Sequence, residues 1–166
     1  MKFIVRILIL TLIFSCSSTK SGVAKPSKKT LKGTWQVNNI KFVGDKGLYK
    51  AFLFDLADSA CFKNSEWVFI PNNGSGKFTT SGTTSQCEVM TNNIHWSFND
   101  TGDAGSLFQF KYIDADTKAK KVTTGYSGTI DSLNENSMVL RVATTYEGNG
   151  FDVLMTFNKV SDDITL

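Results

Sequence analysis

The feature that most constrains this chain is a run of short segments, each alternating large apolar with polar residues and separated by tight turns. Alternation with a period of two puts every second side chain on the same face of a strand. Residues 65–70 place Trp67 and Phe69 on one face and Glu66 and Val68 on the other. Residues 94–98 set Ile94, Trp96 and Phe98 against His95 and Ser97. Residues 107–113 align Phe108, Phe110 and Tyr112, and residues 121–130 align Val122, Thr124, Tyr126 and Ile130. The last two segments carry Met138, Leu140, Val142, Thr144 and Tyr146, then Phe151, Val153, Met155 and Phe157. The turns between them have a chemical cause. In Pro71-Asn72-Asn73-Gly74 the proline fixes φ and Asn-Gly accepts positive φ, and Gly148-Asn149-Gly150 closes a tight hairpin.

Residues 33–42 form a further strand that opens on Gly33-Thr34-Trp35, with Trp35 and Val37 on one face. Residues 75–80 and 84–89 add two short strands, the second carrying Cys87. After the first strand the period changes. Leu48, Ala51, Phe52, Asp55 and Leu56 recur at spacings of three and four, which predicts a short α-helix over residues 48–60 that delivers Cys61. Leu53 and Phe54 lie off its main stripe, so both faces are apolar. Eight or nine strands in a meander leave exposed edges unless the sheet closes on itself. The expected fold is all-β: an up-and-down antiparallel β-barrel of eight or nine strands with one short α-helix after the first strand. Scarce Pro (two) beside abundant Gly, Thr, Ser and Asn suits strands joined by tight turns.

What precedes the barrel reads as an address and a tether. An apolar run over residues 3–14, interrupted by Arg6 and Thr11, falls short of the roughly 20 residues that span a bilayer. It fits a cleaved secretory signal peptide over residues 1–15. Ile13-Phe14-Ser15-Cys16 resembles a bacterial lipobox, in which the cysteine thiol takes a diacylglycerol and the chain is cut just before it. The resemblance implies lipidation of Cys16 and attachment to a membrane. With no Asp after Cys16 and no acidic cluster beyond it, the implied place is the outer membrane of a Gram-negative bacterium, facing the periplasm. Residues 16–32 carry Lys20, Lys25, Lys28, Lys29, Lys32 and Pro26 with no apolar period, which makes them a flexible lysine-rich tether. Those lysines suit either a solvated linker or an anionic membrane surface. Residues 33–166 hold 11 basic and 15 acidic side chains, a balance that argues against nucleic acid as a partner.

Three cysteines in an exported chain leave one over. Lipidation of Cys16 leaves Cys61 and Cys87 to pair as a disulfide in an oxidising compartment. Two free thiols are one alternative. A metal site is the other, but it needs more ligands than the single His95 adds, and none is expected.

Gly33-Thr34-Trp35, followed by the meander over residues 65–160, resembles the calycin group: lipocalins, fatty-acid-binding proteins and bacterial lipocalin-like proteins. The likeness covers residues 31–160. It implies that Trp35 plugs the closed floor of the barrel and that residues 48–60 occupy a lid position. The chain also departs from the pattern. Thr124-Gly125-Tyr126 stands where lipocalins carry Thr-Asp-Tyr, and Asn158 and Lys159 stand where they carry an Arg over the tryptophan. The Arg-x-Tyr carboxylate clamp of fatty-acid-binding proteins has no match, and Arg141, the only Arg of the domain, falls on the face opposite the apolar stripe.

No catalytic set is present. His95 alternates outward, and there is no G-x-S-x-G, phosphate loop or G-x-G-x-x-G, so neither an enzyme nor a cofactor is expected. Asp100, Asp103, Asp114 and Asp116 lie in turns without the EF-hand pattern. Asp58-Ser59-Ala60 and Asp131-Ser132-Leu133 resemble the short O-glycosylation sites of Bacteroidetes. The functional feature is the interior. Trp67, Phe69, Trp96, Phe98, Phe108, Phe110, Tyr112, Tyr126 and Tyr146 are the candidate ligand-binding residues, with the tyrosine hydroxyls placed to orient a guest. A barrel of about eight strands either holds one small ligand or is filled by its own side chains. The expected function is binding or carriage of a small apolar ligand. The alternative is a non-enzymatic envelope interaction or structural module with a filled core.

Overall fold

The computed structural model describes residues 27–44, 51–82, 84–101, 105–114 and 117–164. The expected signal peptide, Cys16, most of the tether, residues 48–50 of the expected helix, Asp103 and Asp116 lie outside the described residues. Among the described residues ten strands follow one another: β1 (Gly33–Gly44), β2 (Phe52–Leu53), β3 (Ala57–Asp58), β4 (Glu66–Ile70), β5 (Ser75–Thr79), β6 (Thr91–Asp100), β7 (Ser106–Tyr112), β8 (Tyr126–Leu133), β9 (Ser137–Tyr146) and β10 (Asn149–Ser161). Eight of them close into one barrel in the order β1-β10-β9-β8-β7-β6-β5-β4, while β2 and β3 pair only with each other. Every barrel neighbour is antiparallel. The expected all-β up-and-down barrel therefore forms, with eight strands.

The alternation of the sequence becomes the two faces of the wall. Trp67 lies opposite Phe78, Trp96 opposite Phe110, and Phe98 opposite Phe108, so large rings meet across neighbouring strands. Trp67, Phe69, Trp96, Phe108 and Phe110 are fully buried. Phe98, Tyr112, Tyr126 and Tyr146 are partly buried and pack against that core. On the outer wall Arg141 of β9 grips Asp131 of β8 and Asp152 of β10, which ties three strands together from outside.

The floor is built at the start of β1. Gly33 has φ +113°, and a Cβ there would stand 2.3 Å from the Ser161 carbonyl, so only glycine lets β1 and β10 come this close. A 3-10 turn, Lys28–Leu31, crosses the same end, and the Trp35 indole nitrogen donates to the Leu31 carbonyl at 2.9 Å. The Lys159 ammonium lies 5.1 Å from the centre of the Trp35 ring. A cation over the floor tryptophan is thus present, supplied by Lys where the lipocalin pattern has Arg. Lys28 covers Trp96 in the same way, also at 5.1 Å.

Three expectations are corrected. No α-helix forms in residues 51–60: this stretch is the β2–β3 hairpin followed by a 3-10 turn, Ser59–Phe62. The helical stripe would have buried Phe52 and Asp55, whereas the hairpin exposes both and buries Leu53, Phe54 and Ala57. The Asp58 carboxylate accepts from the Ala60 amide and so caps the start of the 3-10 turn Ser59–Phe62. Described residues within 84–89 form a loop rather than a strand, because the Thr80 hydroxyl bonds the Glu88 carbonyl and the Met90 amide in place of a ladder. Finally, β8 begins at Tyr126, since Ala119–Lys121 coils into a 3-10 turn. The resemblance to a glycosylation site at Ser59 also fails on structure, because Ser59 is 3% exposed.

A filled mouth as the candidate binding site

β1 pairs with β4 over only four residues, Gly33–Gln36, yet continues with β10 as far as Gly44. An irregularity between Val37 and Asn39 is where β1 parts from β4. Above that point the chain between them closes the gap. The Val37 amide donates to the Ser65 carbonyl, and the Asn64 amide to the Val37 carbonyl. The β2–β3 hairpin belongs to this same connection and fills the open end of the barrel.

Its tip is an unusual turn. Phe54 and Asp55 both have positive φ, 56° and 50°, and the Leu56 amide bonds the Leu53 carbonyl at 3.0 Å. For a residue as bulky as Phe this conformation costs on the order of 1–3 kcal/mol. It is maintained because it drives the Phe54 ring into the barrel. That ring is 6% exposed and meets Phe110 at 5.0 Å, Phe62 at 5.4 Å, Tyr126 at 5.9 Å and Trp67 at 6.3 Å, each edge to face. Beneath it Trp67 stacks on Phe78 at 4.3 Å, with its indole nitrogen donating to the Ser65 hydroxyl. Asp55 stays exposed at the rim.

Two tyrosines hold the turn. The Tyr112 hydroxyl donates to the Phe54 carbonyl at 2.9 Å, and the Tyr126 hydroxyl to the Asp55 carboxylate at 3.3 Å. Burial, with the charges of Tyr126 and Asp55 adding to it, pushes the Tyr112 phenol well above its ordinary value. Tyr126 is raised as well, by burial and then by Asp55. The protonated phenol is the form the fold favours. As pH rises past about 10 the unfolded chain gives up its proton first, so this contribution is intact below pH 10 and is lost above it. Urea unfolding between pH 9 and 12 should show stability falling with pH, with a shallower fall in Tyr112→Phe. Identical slopes would contradict the buried phenol.

The far end of the hairpin is fastened covalently. Cys61 and Cys87 form a disulfide with their Cα atoms 5.2 Å apart, which joins the 3-10 turn after β3 to the loop before β6. The Ser81 amide donates to the Cys61 carbonyl at 3.0 Å, and the Ser81 hydroxyl bonds the Lys63 carbonyl. Of the alternatives open for this pair, the structure selects the bridge.

The candidate residues thus divide by height. Trp67, Phe110, Tyr112 and Tyr126 surround the plug, all but Tyr112 touching the Phe54 ring itself. Phe69, Trp96 and Phe108 pack on one another further from it. Phe98 adjoins that lower group through its β7 partner, and Tyr146 stands near the top of β9, beside the β10 hairpin turn. Two residues escape the sequence reading. Phe54 sits in a stretch whose helical spacing points elsewhere, although its two apolar faces are the trace of a segment buried on both sides. Asn92 shares the inner face of β6 with Ile94 and Trp96, and its side-chain nitrogen is buried with no partner among the described residues. Among the described residues grooves open elsewhere too: one of about 490 Å³ on the outer wall beside His95, Gln109 and Lys111, one at the rim by Gly44 and Phe151, and one at the floor by Lys32 and Asp162.

No protein-family model matches the chain, and no curated protein matches it. Among solved structures it is similar to a lipocalin-like protein from Bacteroides uniformis, 14% identical over 78% of this chain and 98% of that one, with a TM-score of 0.42. It is similar to bovine odorant-binding protein in complex with a selenium-containing odorant, at 15% identity, 83% and 75% coverage and a TM-score of 0.45. It is also similar to lobster apocrustacyanin A1, at 13% identity, 86% and 67% coverage and a TM-score of 0.42.

Proposed function

We propose that this lipocalin-like barrel is a non-enzymatic, lipid-anchored protein of the outer membrane, facing the periplasm, that binds a small apolar molecule at its mouth, in the volume now filled by the β2–β3 hairpin. The observation that carries the reading is the Phe54 ring, a removable apolar group enclosed by four rings and supported on a turn that disfavours itself. Such a plug is exchangeable in a way that the wall residues are not: displacing it relieves backbone strain and breaks two tyrosine hydrogen bonds that a guest can remake. The apolar rim supports the same reading, since Phe52 is 64% exposed beside the plug. The anchor rests on the sequence around Cys16.

Titration of the full chain with N-phenyl-1-naphthylamine, whose fluorescence rises in apolar surroundings, tests the mouth. The wild type should bind it, and Phe54→Ala should bind it more tightly because the competing ring is gone. A folded wild type that binds none up to the solubility limit, whatever Phe54→Ala does, sinks the reading. Metabolic labelling with radioactive palmitate tests the anchor: the wild type should incorporate label and Cys16→Ala should not, and an unlabelled wild type would refute it.

A second reading has its own observation. Rings run in unbroken contact from Phe54 through Trp67 to Phe69 and Trp96, as in a structural core, and Phe52 and Val89 remain exposed outside it. A barrel of that kind would be a scaffold in the envelope that displays an apolar rim to a protein partner. It predicts no reporter binding by the wild type.

A further inference from the structure

The way the hairpin is held specifies a chemistry for what replaces it. The Phe54 ring presents its faces and edges to Phe62, Trp67, Phe110 and Tyr126 at interplanar angles of 72–88°. Edge-to-face geometry rewards an aromatic guest over an alkyl one of similar area, because the positive ring edge meets the negative face. Two polar side chains that face the interior here present a donor. The Tyr112 hydroxyl reaches a carbonyl oxygen of the hairpin, and the Asn92 nitrogen reaches nothing among the described residues. A buried donor without an acceptor is costly, so an occupant that brings a carbonyl oxygen is favoured over one that does not.

Charge is selected against. Arg141 is engaged on the outer wall by Asp131 and Asp152, and Lys159 is at the floor over Trp35. Among the described residues, the ionisable groups bonded to the plug are Tyr112, Tyr126 and the rim carboxylate of Asp55, none of them cationic at neutral pH. An anionic head group would meet desolvation and a like charge, with no counter-ion among the described residues.

We propose that the ligand is an uncharged aromatic carbonyl compound, such as an aryl-substituted ketone, ester or amide, whose ring takes the place of the Phe54 ring and whose oxygen accepts from Tyr112. The inference rests on the reading of the mouth as a binding site. The hairpin tip is then an internal mimic of the guest, a benzyl group with a carbonyl a few bonds away.

Displacement of N-phenyl-1-naphthylamine from the full chain tests it with four competitors: ethyl 3-phenylpropanoate, pentylbenzene, ethyl octanoate and the 3-phenylpropanoate anion. The aromatic ester should displace the reporter at the lowest concentration, about fivefold below pentylbenzene, the worth of one hydrogen bond of about 1 kcal/mol. The anion should be the weakest. In Tyr112→Phe the advantage of the ester over pentylbenzene should vanish through loss on the ester side, with bound reporter showing that the variant is folded. Four competitors that rank alike, an anion that ranks first, or an ester advantage that survives Tyr112→Phe each overturn the proposal while the mouth remains a binding site. A wild type that binds no reporter removes both.

Discussion

Trp67→Ala is expected to destabilise the protein by about 3–5 kcal/mol, the cost of removing a fully buried large ring from a packed interior. Trp67 is the centre of the ring cluster. It stacks on Phe78 and meets Phe54, Phe69, Phe110 and Phe157 at 5.8–6.3 Å. No single neighbour can move into the space without abandoning another contact, so the void persists. Its indole hydrogen bond matters less, because the Ser65 hydroxyl still donates to the Phe62 carbonyl at 2.6 Å after the indole is gone. A small domain has about 5–15 kcal/mol in total, so the loss would be visible in any urea titration. Phe52→Ala is the control: at 64% exposed it should change stability by no more than about 0.5 kcal/mol. Comparable losses from the two substitutions would contradict the burial described above.

The second large effect should come from the bridge. Replacing Cys61 and Cys87 together by Ser should lower stability by about 3–4 kcal/mol in oxidising buffer on the loop-entropy account, for a sequence separation of 26 residues. Under a thiol reductant wild type and variant should unfold alike. The same comparison reports on the plug. The bridge fastens the end of the segment that carries Phe54, so without it the hairpin should leave the mouth more readily and the reporter should bind more tightly. A variant equally destabilised with and without reductant would mean that the serines, rather than the missing bond, cause the loss.

The barrel was legible because its signal is local and repeated. Most wall strands carry their own alternation, and Gly74 takes the positive φ that the Pro71-Asn72-Asn73-Gly74 turn needs, while the β9–β10 hairpin turns at Glu147-Gly148, one residue earlier than Gly148-Asn149-Gly150, with Asn149 and Gly150 already in β10. The cysteine pair followed from counting. The plug was not legible, for a specific reason. Phe54 and Asp55 adopt a conformation that their residue types disfavour, and only the surrounding rings and tyrosine hydroxyls make it stable. Phe62 and Trp67 are close in sequence, but Phe110, Tyr112 and Tyr126 come from 56–72 residues beyond Phe54, outside any window of periodicity. In that window the three- and four-residue spacing of Ala51, Leu56 and their neighbours read as a helix. Lys159 shows a milder version of the same problem. A motif written with Arg hides a Lys that puts its charge in the same place, since the floor needs a cation over the ring rather than a bidentate fork.

The 3-10 turn Lys28–Leu31 enters at the floor, next to Trp35, while the hairpin occupies the opposite end. The molecule therefore has a polarity, a handle at one pole and a spout at the other. Whatever holds the chain by the residues before Ser27 holds it by the handle. Phe52 and the plug stand at the other pole, so a partner on the handle and a guest at the spout would not compete for the same end of the barrel.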